Sequence, residues 1–539
     1  MSYELLRGLY LGAATNADLT SYDERLKFHV RTDLDRLLPE LARTGRDIVL
    51  TGNPGDGKSH VVRYLVDRKR LPPAEVELDL SATSEERVIT RWRAARAASR
   101  PMVLCANEGP LKTLLPHLAR TPELAATGRE LRDQLGHLVA SSAGELPTEP
   151  REGILIDLAD RTLLEPRLIE EALRRVSIPE FFPEAANARE TSAGRNIELL
   201  GEAPSACARL ARIVALAGTR SGEHVSFRQL WGALSFAICA GKAQSTLQQE
   251  LGRQEDELGV APLDNLVRGR GQGALLRAAR AYADPANLPM PQLDEDLWAR
   301  GMPSNGEWEA DLGPFNPPAV WWAQGYHADA LERFRSLKRL VALFHTVGDS
   351  VVDALEASQD RPGQHSDGAL GDLIMLGLRR LYLTHEEETV SPPWLRDGLP
   401  LWVNHSYQDI PASERPHVAV AQLPAGELEL RRPVRPPWLG ASLGPLPEVA
   451  WLHHAPSGIA LRVDDTLLAV LRRAGTTQGP LPPPEPVQRF LARLAGWEES
   501  QARSLRAMAV LERPRGGLLA AATITEGPDG ASYGVADVG

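Results

Sequence analysis

The sequence predicts an α/β protein built on a doubly wound parallel sheet, and three observations predict it. Short apolar runs alternate with helix-spaced segments at least three times between residue 45 and about residue 160. The first run, Asp47-Ile48-Val49-Leu50, is bounded by Gly45 and Gly52, the pattern of a strand buried on both faces. A glycine-rich turn then leads directly into a helical pattern, the usual order at the ligand-binding edge of such sheets.

The elements follow in order. Apolar positions over 26–43 fall at helical spacing and stop near Thr44-Gly45. After the glycine turn, a helix is expected over 58–67, broken by Pro72-Pro73. Strands are expected at 75–80, 102–105 and 153–158, with helices at 85–98 and within 110–139. Beyond Pro179 the character changes. Residues 190–350 read as helices separated by Gly/Pro segments, including 209–216, 227–239 and 328–345. The proline-rich stretch 284–325, with Trp298, Trp308, Trp321 and Trp322, is expected as irregular chain packed over those helices. Residues 357–370 read as a linker. The remainder mixes helices (370–382, 466–473, 487–495) with strand-like runs such as 418–421 and 518–525. The expected division is an N-terminal helical segment (1–44), the sheet core (45–185), a helical lid region (186–356) and a mixed α+β C-terminal domain (370–539). No internal repeat is visible.

Composition narrows the function classes. The chain has 539 residues, 43% of them hydrophobic, so disorder does not describe it as a whole. A formal net charge of −11 argues against a protein that coats nucleic acid by bulk charge, though not against a local basic channel. Three distant cysteines, Cys105, Cys207 and Cys239, form no CxxC and no zinc spacing, so neither a disulfide framework nor structural zinc is expected and a reducing cytoplasm fits. Residues 1–14 show no secretory pattern, and no window approaches a membrane span. Lysine occurs only at positions 27, 58, 69, 112, 242 and 338, against an arginine-rich background. Lys58 therefore stands where arginine would not serve.

That lysine belongs to Gly52-Asn53-Pro54-Gly55-Asp56-Gly57-Lys58-Ser59, a complete G-x-x-x-x-G-K-[ST] match between an expected strand and an expected helix, the P-loop pattern. The glycines let backbone N–H groups turn inward on a β-phosphate, and the helix beginning near Lys58 adds its positive end. The Lys58 ammonium would bridge β- and γ-phosphate oxygens of ATP, and the Ser59 hydroxyl would be a ligand of Mg²⁺. Phosphoryl chemistry also needs acidic groups. The turn Asn107-Glu108-Gly109 follows the third strand, so Glu108 stands where a general base belongs while Asn107 occupies the usual place of an aspartate. Asp79, ending the second strand, is the competing metal ligand, or else caps the helix opening near Ser84. Asp160-Arg161 after the fourth strand could sense the γ-phosphate or form a surface pair. Arg228, in the first turn of a serine-capped helix, is either a lid arginine over the nucleotide or a solvated side chain.

Other features read more plainly. Three arginine clusters (Arg91, Arg93, Arg96 and Arg100 around Trp92; Arg268, Arg270, Arg277 and Arg280; Arg431, Arg432 and Arg435) could touch phosphate backbone or be solvated faces. His345 and His453-His454 show no ligand spacing and read as structural, and Cys105 reads as core.

The segment Thr51 to His60 (TGNPGDGKSH), the turn Asn107-Glu108-Gly109-Pro110-Leu111 and Ser226-Phe227-Arg228 resemble the AAA-like P-loop ATPases of bacterial anti-phage defence operons. They are most similar to the DptF type of DNA phosphorothioation-dependent restriction. Leu461-Arg462-Val463-Asp464-Asp465 and Val487-Gln488-Arg489-Phe490-Leu491 resemble that type's C-terminal region. The resemblance implies a cytoplasmic ATPase that restricts foreign DNA beside partner proteins of the same operon. It also implies a homo- or hetero-oligomer, with direct contact to double-stranded DNA left open. The implied nucleotide contacts are Gly52 to His60 together with Arg228; Lys58 and Glu108 are the implied catalytic residues, and Ser59 with Asp79 the metal ligands. The competing expectation is a STAND-like switch whose C-terminal half senses a partner. A small-molecule phosphotransferase and a scaffold that keeps nucleotide only for stability are weaker alternatives.

Overall fold

A computed structural model describes residues 3–10, 28–139, 149–177, 192–221, 223–240, 261–268, 271–312, 327–358, 361–383, 398–404, 417–434, 439, 446–477, 481–501, 507–511, 518–527 and 530–536. The chain divides into two compact units: Met1–Val139, Leu146–Ser358 and Arg435–Pro447 form the first; Ala140–Glu145, Gln359–Val434 and Glu448–Gly539 form the second.

The first unit opens with α1 (Tyr3–Tyr10) and α2 (Leu34–Arg43), then alternates β1 (Asp47–Thr51), α3 (Lys58–Asp67), β2 (Glu75–Glu77), α4 (Glu85–Ala97), β3 (Met102–Cys105), α5 (Glu108–Arg120), α6 (Ala125–Val139) and β4 (Gly153–Asp157). The four strands are parallel, in the order β2-β3-β1-β4. Successive side chains point to opposite faces. Ile48, Leu50, Val103, Cys105, Ile154 and Ile156 pack with α2 and α3. Val49, Met102, Leu104 and Leu155 pack with α4, α5 and α6. Both faces are covered, which is why these strands are apolar without alternation.

The start of β1 is fixed by one buried carboxylate. Asp47 accepts from Trp92 Nε1 at 2.9 Å, Arg96 Nη2 at 2.7 Å and Met102 N at 2.8 Å. Three of the four arginines around Trp92 are taken up in ion pairs: Arg91 with Glu75 and Glu77, Arg96 with Asp47 and Glu152, and Arg93, on the surface, with Glu123; Arg100 is exposed.

The unit continues with α7 (Pro166–Val176), α8 (Ser192–Glu202), α9 (Pro204–Ser221), α10 (Phe227–Cys239), α11 (Pro262–Arg268), α12 (Ala274–Tyr282), α13 (Pro291–Arg300), α14 (His327–Phe344) and α15 (Gly348–Ala357). These pack around one apolar core. Helix α10 lies at its centre, started by a Ser226–Gln229 capping box. Arg209 is buried and bonds Glu309, Asp349 and the carbonyls of Leu343 and His345, so its charge is fully met.

Two expectations are corrected here. The helix expected over 26–43 is interrupted: Phe28 is helical, residues 29–33 are not, and helix resumes at Leu34, where Asp35 accepts from Thr32 N and Oγ1; His29 and Val30 are buried from the non-helical stretch. The stretch 284–312 is less irregular than expected, with a 3-10 turn at Pro285–Asn287, then α13 and an isolated bridge from Trp308 to His345. Trp321 and Trp322 lie outside the described residues.

The second unit carries α16 (Asp367–Arg380), β5 (Gly398–Asn404), β6 (His417–Pro424), β7 (Leu428–Arg431), β8 (Ala450–His454), β9 (Ala460–Val463), α17 (Asp465–Thr476), α18 (Glu485–Ser500), β10 (Ala507–Leu511), β11 (Leu518–Gly527) and β12 (Gly530–Ala536). Its sheets are antiparallel, in the orders β12-β11-β10-β6-β5 and β7-β8-β9. The stretch before α16, expected as a linker, holds a 3-10 turn at Pro362–Gln364, tied by Arg432 to the carbonyls of Pro362 and His365 and to Asp367. Among the described residues no helix is long and apolar enough to cross a membrane.

Candidate functional site

The connections leaving β1 and β3 run in opposite directions across the sheet, toward β2 and toward β4. The crevice at their carboxyl ends is therefore the place where open α/β sheets bind ligands. The Gly52–Gly57 loop occupies that edge. Gly55 and Gly57 have φ of 97° and 86°, a region unfavourable to side chains, and the space beside them is taken as well. A Cβ on Gly55 would stand 2.8 Å from Arg228 Cβ, and one on Gly57 would stand 3.1 Å from the Phe227 ring.

Polar contacts hold the loop closed. Asp56, buried, accepts from Asn53 N at 2.6 Å through one carboxylate oxygen and meets His224 Nε2 at 2.7 Å through the other. Its carbonyl accepts from Arg161 Nη2 at 2.8 Å. Arg161 in turn lies over the Phe227 ring, 5.5 Å from its centroid. Arg228 N donates to Gly55 O at 3.3 Å. The start of α10 is thereby seated on the loop.

Lys58 opens α3 and turns its ammonium back into the loop, donating to Gly52 O at 3.0 Å and Asn53 O at 2.9 Å. Burial pulls its pKa below the ordinary lysine value, against the pull of Asp56 and of the carboxylates of Asp157 and Asp79. The arrangement sets the N-terminus of α3 and one desolvated cation at a tight glycine turn, which suits an anion. Ser59 Oγ donates to Leu78 O at 2.6 Å, which sets Ser59 beside the end of β2.

The loop forms one end of a cavity of about 320 Å³, within the size range of small-molecule sites. Phe28, Val30, Leu34 and Trp231 line it with apolar surface, Phe28 and Trp231 meeting edge to face at 5.6 Å. Pro54 to His60, Asp79, Asn107, Arg161 and Arg228 also face it.

Glu108 takes a different place. It stands in the first turn of α5, 52% exposed, with Oε1 2.5 Å from Lys112 Nζ, whereas Asn107 occupies the N-cap position without a side-chain capping bond and lines the cavity. Asp79 lines the cavity and also caps the 3-10 turn Leu80–Ala82 through Ser81 N at 2.9 Å, rather than the helix near Ser84. Asp157, at the end of β4, accepts from Ala159 N. Burial raises its pKa, and the nearby carboxylates of Asp56 and Glu108 raise it further. Cys105 faces the cavity, but burial pushes its thiol up to about 12, so it acts as core. Among the described residues no group of three or more His, Cys, Asp or Glu could hold a metal ion by itself. Ser59 with Asp79 fits a site in which most ligands are water and phosphate oxygens.

Several residues at this site carried no sequence signal. His224 reaches Asp56 across 168 positions of chain. His29 bonds Asp35 Oδ1 at 2.7 Å and stacks on Tyr64 with ring centroids 3.5 Å apart. Trp231 is an ordinary apolar position of α10 by spacing. Compared with protein-family models, with curated proteins and with solved structures, the chain finds no match.

Proposed function

We propose that the chain is a P-loop ATPase of AAA-like type that binds ATP with Mg²⁺ on the Gly52–Ser59 loop and hydrolyses it. The observation that carries this reading is the loop itself: a glycine turn at the carboxyl end of a central parallel strand, closed on the Lys58 ammonium and running into the N-terminus of α3. In this reading Lys58 exchanges its two carbonyl acceptors for β- and γ-phosphate oxygens. The loop N–H groups take the β-phosphate, and Phe28, Val30 and Trp231 supply the apolar end for the base. Arg228, on the start of α10, faces the phosphates from the helical side. Ser59 and Asp79 would hold Mg²⁺, which supplies charge neutralisation across the β- and γ-phosphates. Glu108 is the proposed water-polarising group, and it must leave Lys112 to serve.

On the resemblance of the Thr51–His60, Asn107–Leu111 and Ser226–Arg228 segments, we further propose a place in a bacterial antiviral DNA-restriction complex. There the chain acts in the cytoplasm with partner proteins of the same operon, as part of a homo- or hetero-oligomer, and double-stranded DNA is the candidate activator. A second reading, a STAND-like nucleotide switch, is favoured by one observation: Glu108 is half exposed and paired with Lys112 rather than facing the cavity. Such a switch would bind nucleotide and turn it over slowly.

Steady-state hydrolysis by the purified chain, with and without double-stranded DNA, separates the two. The ATPase reading expects turnover that is lost in Lys58→Ala and falls about a hundredfold or more in Glu108→Gln. Tight binding with negligible turnover under every condition would leave the switch.

A further inference from the structure

Helix α10 reaches both ends of the cavity with one stripe of side chains. Phe227 and Arg228 sit against Gly57 and Gly55 of the loop. Trp231, three residues past Arg228, stands a turn further along the same face, at the apolar end of the cavity. Ser235, four residues past Trp231, is buried and donates through Oγ to the carbonyl of Leu6 on α1. The stripe runs from the glycine loop, past the apolar end, to α1.

Helix α1 takes part in the cavity itself. Leu9, 3% exposed, lines it together with Phe28 and Trp231, and the three belong to one apolar core. Beside Trp231 the two helix backbones meet: a Cβ on Gly232 would already touch Leu9 O, at 3.7 Å. The next residue, Tyr10, sets its ring 4.8 Å from that of Phe236, and its hydroxyl accepts from Gln272 N at 3.3 Å. Leu9 is therefore held at the apolar end from both sides, by Leu6 on Ser235 and by Tyr10 on Phe236. The contacts that close the glycine loop come from Asp56, Lys58, Arg161 and His224, none of which lies on α1.

We propose that α1 forms the base-side wall of the nucleotide site and is held there through Ser235, so that binding of the base and seating of α1 on α10 depend on each other. The inference rests on the nucleotide reading of the site. A base at the apolar end gives Leu9 a further packing partner, and by linkage each event then favours the other. The phosphates make no such demand, because the loop is closed without α1. Affinity for a whole nucleotide depends on α1, and affinity for a bare polyphosphate does not.

The test compares ATP with inorganic tripolyphosphate, both with Mg²⁺, in equilibrium titrations of the full chain and in amide hydrogen exchange over residues 3–10. Bound ATP should slow exchange in α1 by about tenfold, and bound tripolyphosphate should leave it unchanged. Leu9→Ala should weaken ATP about tenfold and leave tripolyphosphate within about twofold. Ser235→Ala alters no residue that lines the cavity but frees Leu6 O from α10, and it should shift the two ligands in the same unequal way. ATP affinity unchanged in both variants, ATP and tripolyphosphate weakened in parallel, or α1 exchange unaffected by bound ATP overturns the proposal and leaves the nucleotide reading standing. A folded wild type that binds neither ligand removes that reading, and this inference with it.

Discussion

Asp56 and His224, 168 positions apart in the chain, meet at 2.7 Å through Oδ1 and Nε2. With Arg161 on the Asp56 carbonyl, this contact joins the glycine loop, the end of β4 and the start of α10 into one polar knot. The loop is thus held from outside as well as by its own glycines. That arrangement yields specific expectations.

Arg161→Met should loosen the knot without touching Lys58. The substitution removes the bond to Asp56 O and the cation over Phe227 while keeping much of the apolar stem. A loss of about 1–3 kcal/mol is expected from leaving that buried carbonyl unmet, readable as a lower midpoint in urea denaturation. Nucleotide affinity should fall with it.

Gly55→Ala should cost more than a surface substitution. Its φ of 97° disfavours a side chain, and the new Cβ would stand 2.8 Å from Arg228 Cβ. Destabilisation of about 1–3 kcal/mol is expected, with binding lost because α10 must shift. Thermal melting and a nucleotide titration check both halves. An unshifted melting temperature would contradict the packing described here.

Much of this was legible in the sequence. The β1 strand, the glycine loop and α3 could be read because each depends on residues within a few positions: an apolar run between glycines, then a lysine and serine at a helix start. The rest depends on distant contacts. Nothing local marks His224 as a partner for Asp56, or Arg161 as a support for the loop rather than a surface pair. The spacing of apolar residues runs on as helical through 29–33, whereas the Thr32–Asp35 bonds hold that stretch out of the helix, which resumes at Leu34. Glu108 could be placed on the right turn, but its pairing with Lys112 follows from the helix that turn begins.

Asp35 should give stability a measurable acid slope. Its folded pKa lies below the ordinary value of 3.8, so its contribution is fully present above that value and is lost as pH falls through the folded one. In Asp35→Asn the unfolding free energy should drop by about 1–2 kcal/mol at neutral pH, and the difference from wild type should shrink below pH 4. Urea denaturation at pH 3 and pH 7 measures it.

Asp157 should behave in the opposite sense. Burial raises its folded pKa, so the ionised carboxylate costs stability once pH rises past its unfolded value. Asp157→Asn can keep the bond from Ala159 N and should stabilise the chain at neutral pH while changing little under acid. A variant less stable than wild type at pH 7 would contradict this.

The most direct test of the central claim is an equilibrium titration of the purified chain with ATP and Mg²⁺, wild type beside Lys58→Ala. One nucleotide per chain is expected for wild type. The variant, which removes the cation that Gly52 O and Asn53 O now hold, should bind at least about a hundredfold more weakly while melting close to wild type. Equal binding by the two proteins, or no binding by a folded wild type, would contradict the assignment of the Gly52–Ser59 loop as a phosphate cradle.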